Sequence, residues 1–390
     1  MDTYSILIIS HIPVYKISEE DCYYSLDLWC KDVNANSKVV SKLAIFCPIL
    51  ESYGDDVIVT KLDSRIKVHK LNNLIYLKEF KEIISQYDVI QIGAGKPFWK
   101  YKYEFLAIIY ARIQSKCFIY SISSNRVKLT LLNSEGGGSK EVKGRINSFS
   151  IYLTQKIFSK YSTGVLLVGN GLKLALGINN NNIHVGLASW IEKQDILPVS
   201  ILDKKLSELP SYLLPELCVC TRLEKMKGVH LAIEALDSLK RKYDFKPRLK
   251  IYGIGPEKEN LTILVNQLEL QEQVSFMGVV RYGVDFFKEI RQYNLMLLTN
   301  LSDEQPRIIF DAISQGVLPI CPNTNVYQST GLDGGLLYKQ GSAIELAERI
   351  KAFTDKTFFV NMINLSRPLL DNSTVEAMHT NRANWVKGLL

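Results

Sequence analysis

The chain has 390 residues, 47% of them hydrophobic and 22% charged, which is enough to bury large cores and long enough for two domains. Its seven cysteines (Cys22, Cys30, Cys47, Cys117, Cys218, Cys220 and Cys321) are odd in number, lack paired CxxC spacing and mostly lie in apolar runs. That excludes a disulfide scaffold and points to reduced, buried thiols in a cytoplasmic protein. The net charge of +7 sits wholly in residues 1–186, with 23 basic against 16 acidic side chains, and residues 96–173 alone hold 13 basic and 3 acidic ones. Such a basic, aromatic-rich stretch implies an anionic partner.

Met1-Asp2-Thr3-Tyr4 offers no basic leader, and Ile6-Leu7-Ile8-Ile9 is too short to span a bilayer, so neither a signal sequence nor a membrane span is expected. The expected location is the cytoplasm, either free or peripheral on the inner face of the membrane. Short apolar runs predict strands at 5–10, 43–47, 88–92, 117–121 and 165–168, with helices between them, including one over 97–114. Continuous β-branched runs alternating with helices predict a parallel sheet covered on both faces. The Asn run 179–182 reads as a turn, and 183–185 as a further strand. Residues 187–215 lack periodicity and contain Pro198, Pro210 and Pro215, which places an inter-domain connection at 191–214.

The alternation then restarts, with strands at 217–221, 249–252, 274–277, 295–299 and 318–321. The helices between them fall at 228–243, 258–268, 282–292 and 307–315. A closing helix is expected over 342–353 and another over 373–390, the latter packing back on the first domain. The expected fold class is therefore α/β, with doubly wound domains at 1–190 and 215–372 facing a central cleft, where ligands of such folds bind. Gly136-Gly137-Gly138-Ser139 reads as a mobile loop or an artificial insertion.

Three motifs carry chemistry. Thr221-Arg222-Leu223-Glu224-Lys225-Met226-Lys227-Gly228 places a guanidinium and an ammonium around a strand-to-helix turn, an arrangement suited to a diphosphate; the plain alternative is an ordinary basic loop. Tyr252-Gly253-Ile254-Gly255-Pro256 follows a strand, and its glycines serve either close backbone approach to a ligand or the turn itself. The run from Ser302 to Gly316 sets Asp303 and Asp311 eight residues apart across a strand-to-helix junction. One carboxylate could accept from sugar hydroxyls and the other from a ribose diol. Acids at a helix start are common for dipole reasons, but Asp311 amid Ile308, Ile309, Phe310, Ala312 and Ile313 requires a partner.

In order and spacing, TRLEKMKG, YGIGPEKENL, VSFMG, SDEQPRIIFDAISQGVLPI and GGLLYKQGSAIELAERI resemble the C-terminal domain of family 4 retaining glycosyltransferases of the GT-B fold, over residues 216–353. The resemblance implies a UDP- or GDP-sugar donor held by Arg222, Lys227, Gly253, Gly255, Met277, Asp303, Arg307, Ile308 and Asp311. Arg222 and Lys227 would hold the diphosphate, Asp303 the sugar and Asp311 the ribose, so that Arg222, Lys227 and Asp303 carry catalysis. Both glutamates of the family pattern are aspartate here, which shortens each reach by a methylene. The N-terminal half follows the family in layout, without its usual histidine; His11, Gly93, Gly95 and Lys96 are the candidates on the acceptor side, the last three as a small anion-binding turn.

No metal or other cofactor is expected: the five histidines are scattered, and Asp55-Asp56 reads as solvated surface. The implied reaction moves a hexosyl-type group to a hydroxyl of a glycan or lipid-linked acceptor in cell-surface polysaccharide or glycoconjugate synthesis. The alternatives are an inactive partner protein of the same fold, which the missing histidine and shortened carboxylates favour, and a nucleotide-sugar epimerase, whose acid/base residues the sequence does not display. Basic charge alone suggests a nucleic-acid binder, without any recognition motif.

Overall fold

The structure, a computed structural model, describes residues 3–16, 22–54, 57–70, 77–101, 103–132, 134, 138–169, 171–187, 189–302 and 307–390. Asp55-Asp56, Gly136, Gly137, Asp303 and Glu304 therefore lie outside the described residues. The chain divides into two units, Met1–Trp190 with Val375–Leu390 and Ile191–Thr374.

The first unit is built on a parallel sheet of seven strands. Its spatial order is Ile183–Gly186, Gly164–Val168, Cys117–Ile122, Val89–Gly93, Ser5–Ile9, Lys42–Cys47 and Lys67–Lys70. The apolar runs are continuous because both faces are covered: Leu7, Ile9, Phe46 and Tyr120 point into one core, while Ile6, Ile45 and Ile119 point into another. Ala383 and Val386 of the C-terminal helix Val375–Lys387 join the second core. That helix is fixed further by Trp385 stacked on His184 at 5.2 Å and by Arg382 donating to the Gln91 side chain. A small second sheet of very short strands, Ile49–Leu50, Val14–Tyr15, Tyr24–Leu26 and Val59–Lys61, lies beside the main one in this unit.

The helix expected over 97–114 is two elements, a 3-10 turn Phe98–Lys100 and a helix Tyr103–Ile113. Tyr101 leaves helical geometry (φ −97°, ψ 78°), and its ring enters the core against Phe158 at 5.0 Å. Gly138 and Ser139 begin a helix, Gly138–Tyr161, where the sequence suggested a loop.

The second unit carries six parallel strands in the order Val274–Gly278, Leu249–Tyr252, Leu217–Cys220, Leu295–Leu297, Leu318–Pro322 and Leu337–Tyr338. Residues 191–214, expected as a connection, fold into this unit. Pro198 caps the helix Val199–Ser207, which buries Leu202 and Leu206, and the Leu197 amide donates to the Ser314 carbonyl at 2.8 Å. The Lys205 ammonium donates to the carbonyls of Arg291, Tyr293 and Gly316 at 3.0, 3.1 and 3.2 Å. Pro198, one of the three prolines that suggested a linker, thus begins a packed element, because proline fits the start of a helix as well as a break.

The seven cysteines are all free, five of them buried. Burial pushes the Cys30 and Cys47 thiols up to about 12, so both stay protonated at neutral pH.

Candidate active site

In each of the two large parallel sheets the strand order reverses once, and at that point loops leave neighbouring strands in opposite directions and open a crevice. In the second unit this happens between Leu217–Cys220 and Leu295–Leu297. A pocket of about 180 Å³ lies there, lined by Thr221, Lys227, Thr299, Asn300, Arg307 and Ile308 among others. The spacing of the first motif therefore brings Lys227 to the same wall as Arg307 and Ile308, 80 positions further along the chain.

The two loops are bound together. The Thr299 hydroxyl donates to the Lys227 carbonyl at 2.7 Å, and the Leu301 amide donates to the Met226 carbonyl at 2.9 Å. Gly228 is in the left-handed region (φ 61°), and a Cβ there would stand 2.2 Å from the Thr299 carbonyl oxygen. It starts the helix Val229–Tyr243, whose N-terminus has no side-chain cap. Arg222 is exposed, with its guanidinium 2.8 Å from Glu224. An arginine paired so openly can exchange its carboxylate for a phosphate at little cost.

A Cβ on Gly253 would meet the Thr221 carbonyl oxygen at 1.8 Å, and one on Gly255 the Leu223 carbonyl oxygen at 2.3 Å. Leu223 donates its amide to Ile254 O at 2.9 Å and accepts from the Glu257 amide at 3.0 Å. These glycines hold the Arg222 loop in place by backbone approach. Met277 lies on the edge strand Val274–Gly278, half exposed.

Asp311 is 5% exposed, and the partner it requires is Tyr282, whose hydroxyl donates to Oδ1 at 3.0 Å. Burial, then the Asp311 charge, pushes the Tyr282 hydroxyl above its usual range, so it remains a donor at neutral pH. The Tyr282 ring stacks on Phe286 at 5.7 Å, which fixes its direction. Tyr282 was missed in the sequence because nothing local marks it; the only signal is its place four residues beyond Gly278, the end of the VSFMG strand Val274–Gly278.

The first unit reverses its order between Ser5–Ile9 and Val89–Gly93. His11 follows the former strand, and Gly93 ends the latter. Burial, followed by the charges of Lys96 and Arg126, holds the His11 imidazole below its ordinary value, and Glu104 opposes them. Lys96 is paired with Glu104 at 2.9 Å. The expected anion-binding turn is not an open cradle: the Ala94 amide donates to Ser121 O at 2.7 Å and the Lys96 amide to the Tyr101 hydroxyl at 3.2 Å. Gly95 (φ 118°) instead admits the Arg126 side chain, whose Cγ lies 2.9 Å from where a Cβ would stand. Arg126 is thus the cation of this site that motif reading overlooked.

Residues 214–363 match the family model described as Glycosyl transferases group 1. The structure is similar to Anabaena HepE in complex with UDP, at 13% identity and a TM-score of 0.66, covering 98% of this chain and 100% of that one. It is also similar to a sucrose-phosphate synthase from Thermosynechococcus elongatus (12% identity, TM-score 0.66, 99% of each chain). A glycosyltransferase from Rickettsia africae gives 14% identity and a TM-score of 0.64 over 100% of this chain and 99% of that one. No curated protein matches the sequence.

The fold is that of GT-B proteins, mixed α/β with two Rossmann-like domains of parallel strands. With a group 1 domain over 214–363, the class defined is a glycosyltransferase.

Proposed function

We propose that the protein is a retaining glycosyltransferase of family 4 that moves a sugar from a nucleoside diphosphate sugar to a hydroxyl of a glycan or lipid-linked acceptor, in the synthesis of cell-surface polysaccharide or glycoconjugate. The observation that carries the reading is the convergence of Lys227 and Arg307 on one pocket at the reversal point of the second sheet, beside the uncapped start of a 15-residue helix. Two cations and helix amides together suit a diphosphate. UDP is the favoured nucleotide, since HepE has been solved with UDP and with UDP-glucose.

In this reading Arg222 leaves Glu224 to join Lys227 on the diphosphate, and Asp311, kept in place by Tyr282, accepts from the ribose. Asp303, placed by motif position, accepts from the sugar. Catalysis is chiefly electrostatic: the cations stabilise the departing diphosphate while the glycosidic bond to it breaks and the acceptor oxygen bonds to the anomeric carbon on the same face. The acceptor proton passes to the leaving phosphate, so no protein base is needed. His11, Lys96 and Arg126 of the first unit form the acceptor side, and their charge favours an anionic acceptor or one displayed on an anionic surface.

The test is transfer from UDP- and GDP-sugars to lipid-linked and glycan acceptors, with the product linkage read by NMR. An α-linked product from an α-donor supports the proposal; an inverted linkage overturns retention. Asp303→Asn is expected to lower turnover more than nucleotide affinity, with the reverse for Asp311→Asn. Equal loss of nucleotide affinity in both would contradict the division of roles.

A further inference from the structure

The helix Gly138–Tyr161 is amphipathic the wrong way round. Its buried positions are largely small or polar, among them Gly144, Ser148, Thr154, Gln155 and Ser159, whereas Val142, Ile146, Phe149, Leu153 and Ile157 form one exposed stripe. Val142, Ile146 and Phe149 are 59%, 56% and 63% exposed. A helix on a globular surface ordinarily does the opposite, burying the apolar face.

The buried side has its own local reason. Ser148 donates to the Val127 carbonyl at 2.9 Å, and Gly144 lies so close to Ser134 that a Cβ would stand 2.0 Å from its Oγ. Small residues let this helix press against the helix Arg126–Leu132. Nothing in that packing calls for an apolar outer stripe.

The stripe is continued by Phe98 and Trp99, both about half exposed, across a groove of about 680 Å³ lined by Trp99, Lys100, Val142, Lys143 and Ile146. Of the aromatics in 98–105, Tyr101 is in the core and these two face outward. The margins are basic: the helix carries Lys140, Lys143, Arg145, Lys156 and Lys160, and its single acid, Glu141, is paired with Arg145 at 2.7 Å. Among the described residues no helix is long and apolar enough to cross a membrane.

We propose that the exposed apolar stripe of Gly138–Tyr161, with Phe98, Trp99 and the lysines beside it, is a docking surface that lies in the interface of an anionic lipid membrane. Apolar side chains enter the boundary between headgroups and acyl chains, Trp99 sits at headgroup depth, and the lysine and arginine stems reach up to anionic headgroups. Charge decides against a second copy as the occupant, because a twofold pairing would set these basic margins against each other. The inference is independent of the glycosyl-transfer reading, since none of these residues belongs to the donor pocket.

The experiment is cosedimentation of the full chain with phosphatidylglycerol vesicles and with phosphatidylcholine vesicles, at low and high salt. The protein is expected to pellet with the anionic vesicles and to be released by salt. Ile146→Glu with Phe149→Glu, and separately Lys140→Glu with Lys143→Glu, should each weaken binding at least tenfold while Tm and UDP affinity stay as in the wild type. Should a variant fail to fold, quenching of Trp99 fluorescence by brominated anionic lipid, lost in Trp99→Phe, reads the same contact in a protein with its stripe intact. The proposal is overturned if the wild type stays in the supernatant, if the apolar variant binds unchanged, or if the protein is a dimer that the apolar variant splits. Loss of transfer activity with vesicle binding intact would count against the enzyme reading alone.

Discussion

A methyl group tests what Gly253 and Gly255 do. Because the added Cβ would meet the carbonyls of Thr221 and Leu223, Gly253→Ala and Gly255→Ala should each cost about 1–3 kcal/mol, seen as a lowered Tm. Ligand-facing glycines would show lost nucleotide affinity at unchanged Tm. Arg222→Ala and Lys227→Ala should behave oppositely. Each removes a charge-assisted contact to phosphate, about 1.5–3 kcal/mol, so the Kd for UDP should rise tenfold to a hundredfold by calorimetry. Tm should hold, since Arg222 loses only an exposed ion pair. Full affinity in both variants would remove the assignment. Asp311 was legible as a buried acid in need of a partner, but its partner was not, because Tyr282 is 29 residues away and only the fold brings them together.

At the scale of elements, sequence and structure agree where burial is two-sided. The runs at 5–10, 117–121 and 249–252 read as strands because they are largely apolar without a break, and most of their side chains are buried on one face of the sheet or the other. Strands of two or three residues, such as Val14–Tyr15 and Val59–Lys61, carry too little pattern to read. The helix Gly138–Tyr161 falls where the alternation predicts a helix between two strands, but its start reads as a loop and its bounds are not legible, because most of its apolar residues lie on the face away from the core. One edge strand sets a pH dependence. On Lys67–Lys70, burial and then Lys67 and Lys42 push His69 down to about 4, and its Nε2 lies 3.1 Å from the Tyr87 hydroxyl. The unfolded chain takes up this proton near its ordinary value, before the folded one does. Stability from His69 is therefore present above about pH 6.5 and is lost as the pH falls toward about 4. The loss is at most about 3 kcal/mol, and roughly half that for a half-exposed ring. His69→Gln should flatten the fall in urea midpoint over that window; an unchanged slope would refute the assignment.

For the whole molecule, the donor reading makes a simple demand. If UDP binds the second unit, UDP at 100 times its Kd should stabilise that unit against unfolding by about 2.7 kcal/mol. Two separate unfolding steps, only one of them raised by UDP, would match two units with their own cores. No shift with any nucleoside diphosphate would remove the donor site. The chain's return to its first unit also bears on how the protein is made. Residues up to Trp190 leave the ribosome well ahead of the helix Val375–Lys387, which helps to cover one side of their sheet. At about 5–20 residues per second, that apolar face waits tens of seconds for its cover. Newly made protein should therefore depend on chaperones until that helix has emerged, and truncated chains that stop at Thr374 should be cleared or aggregate even though the glycosyltransferase domain matched at 214–363 is whole.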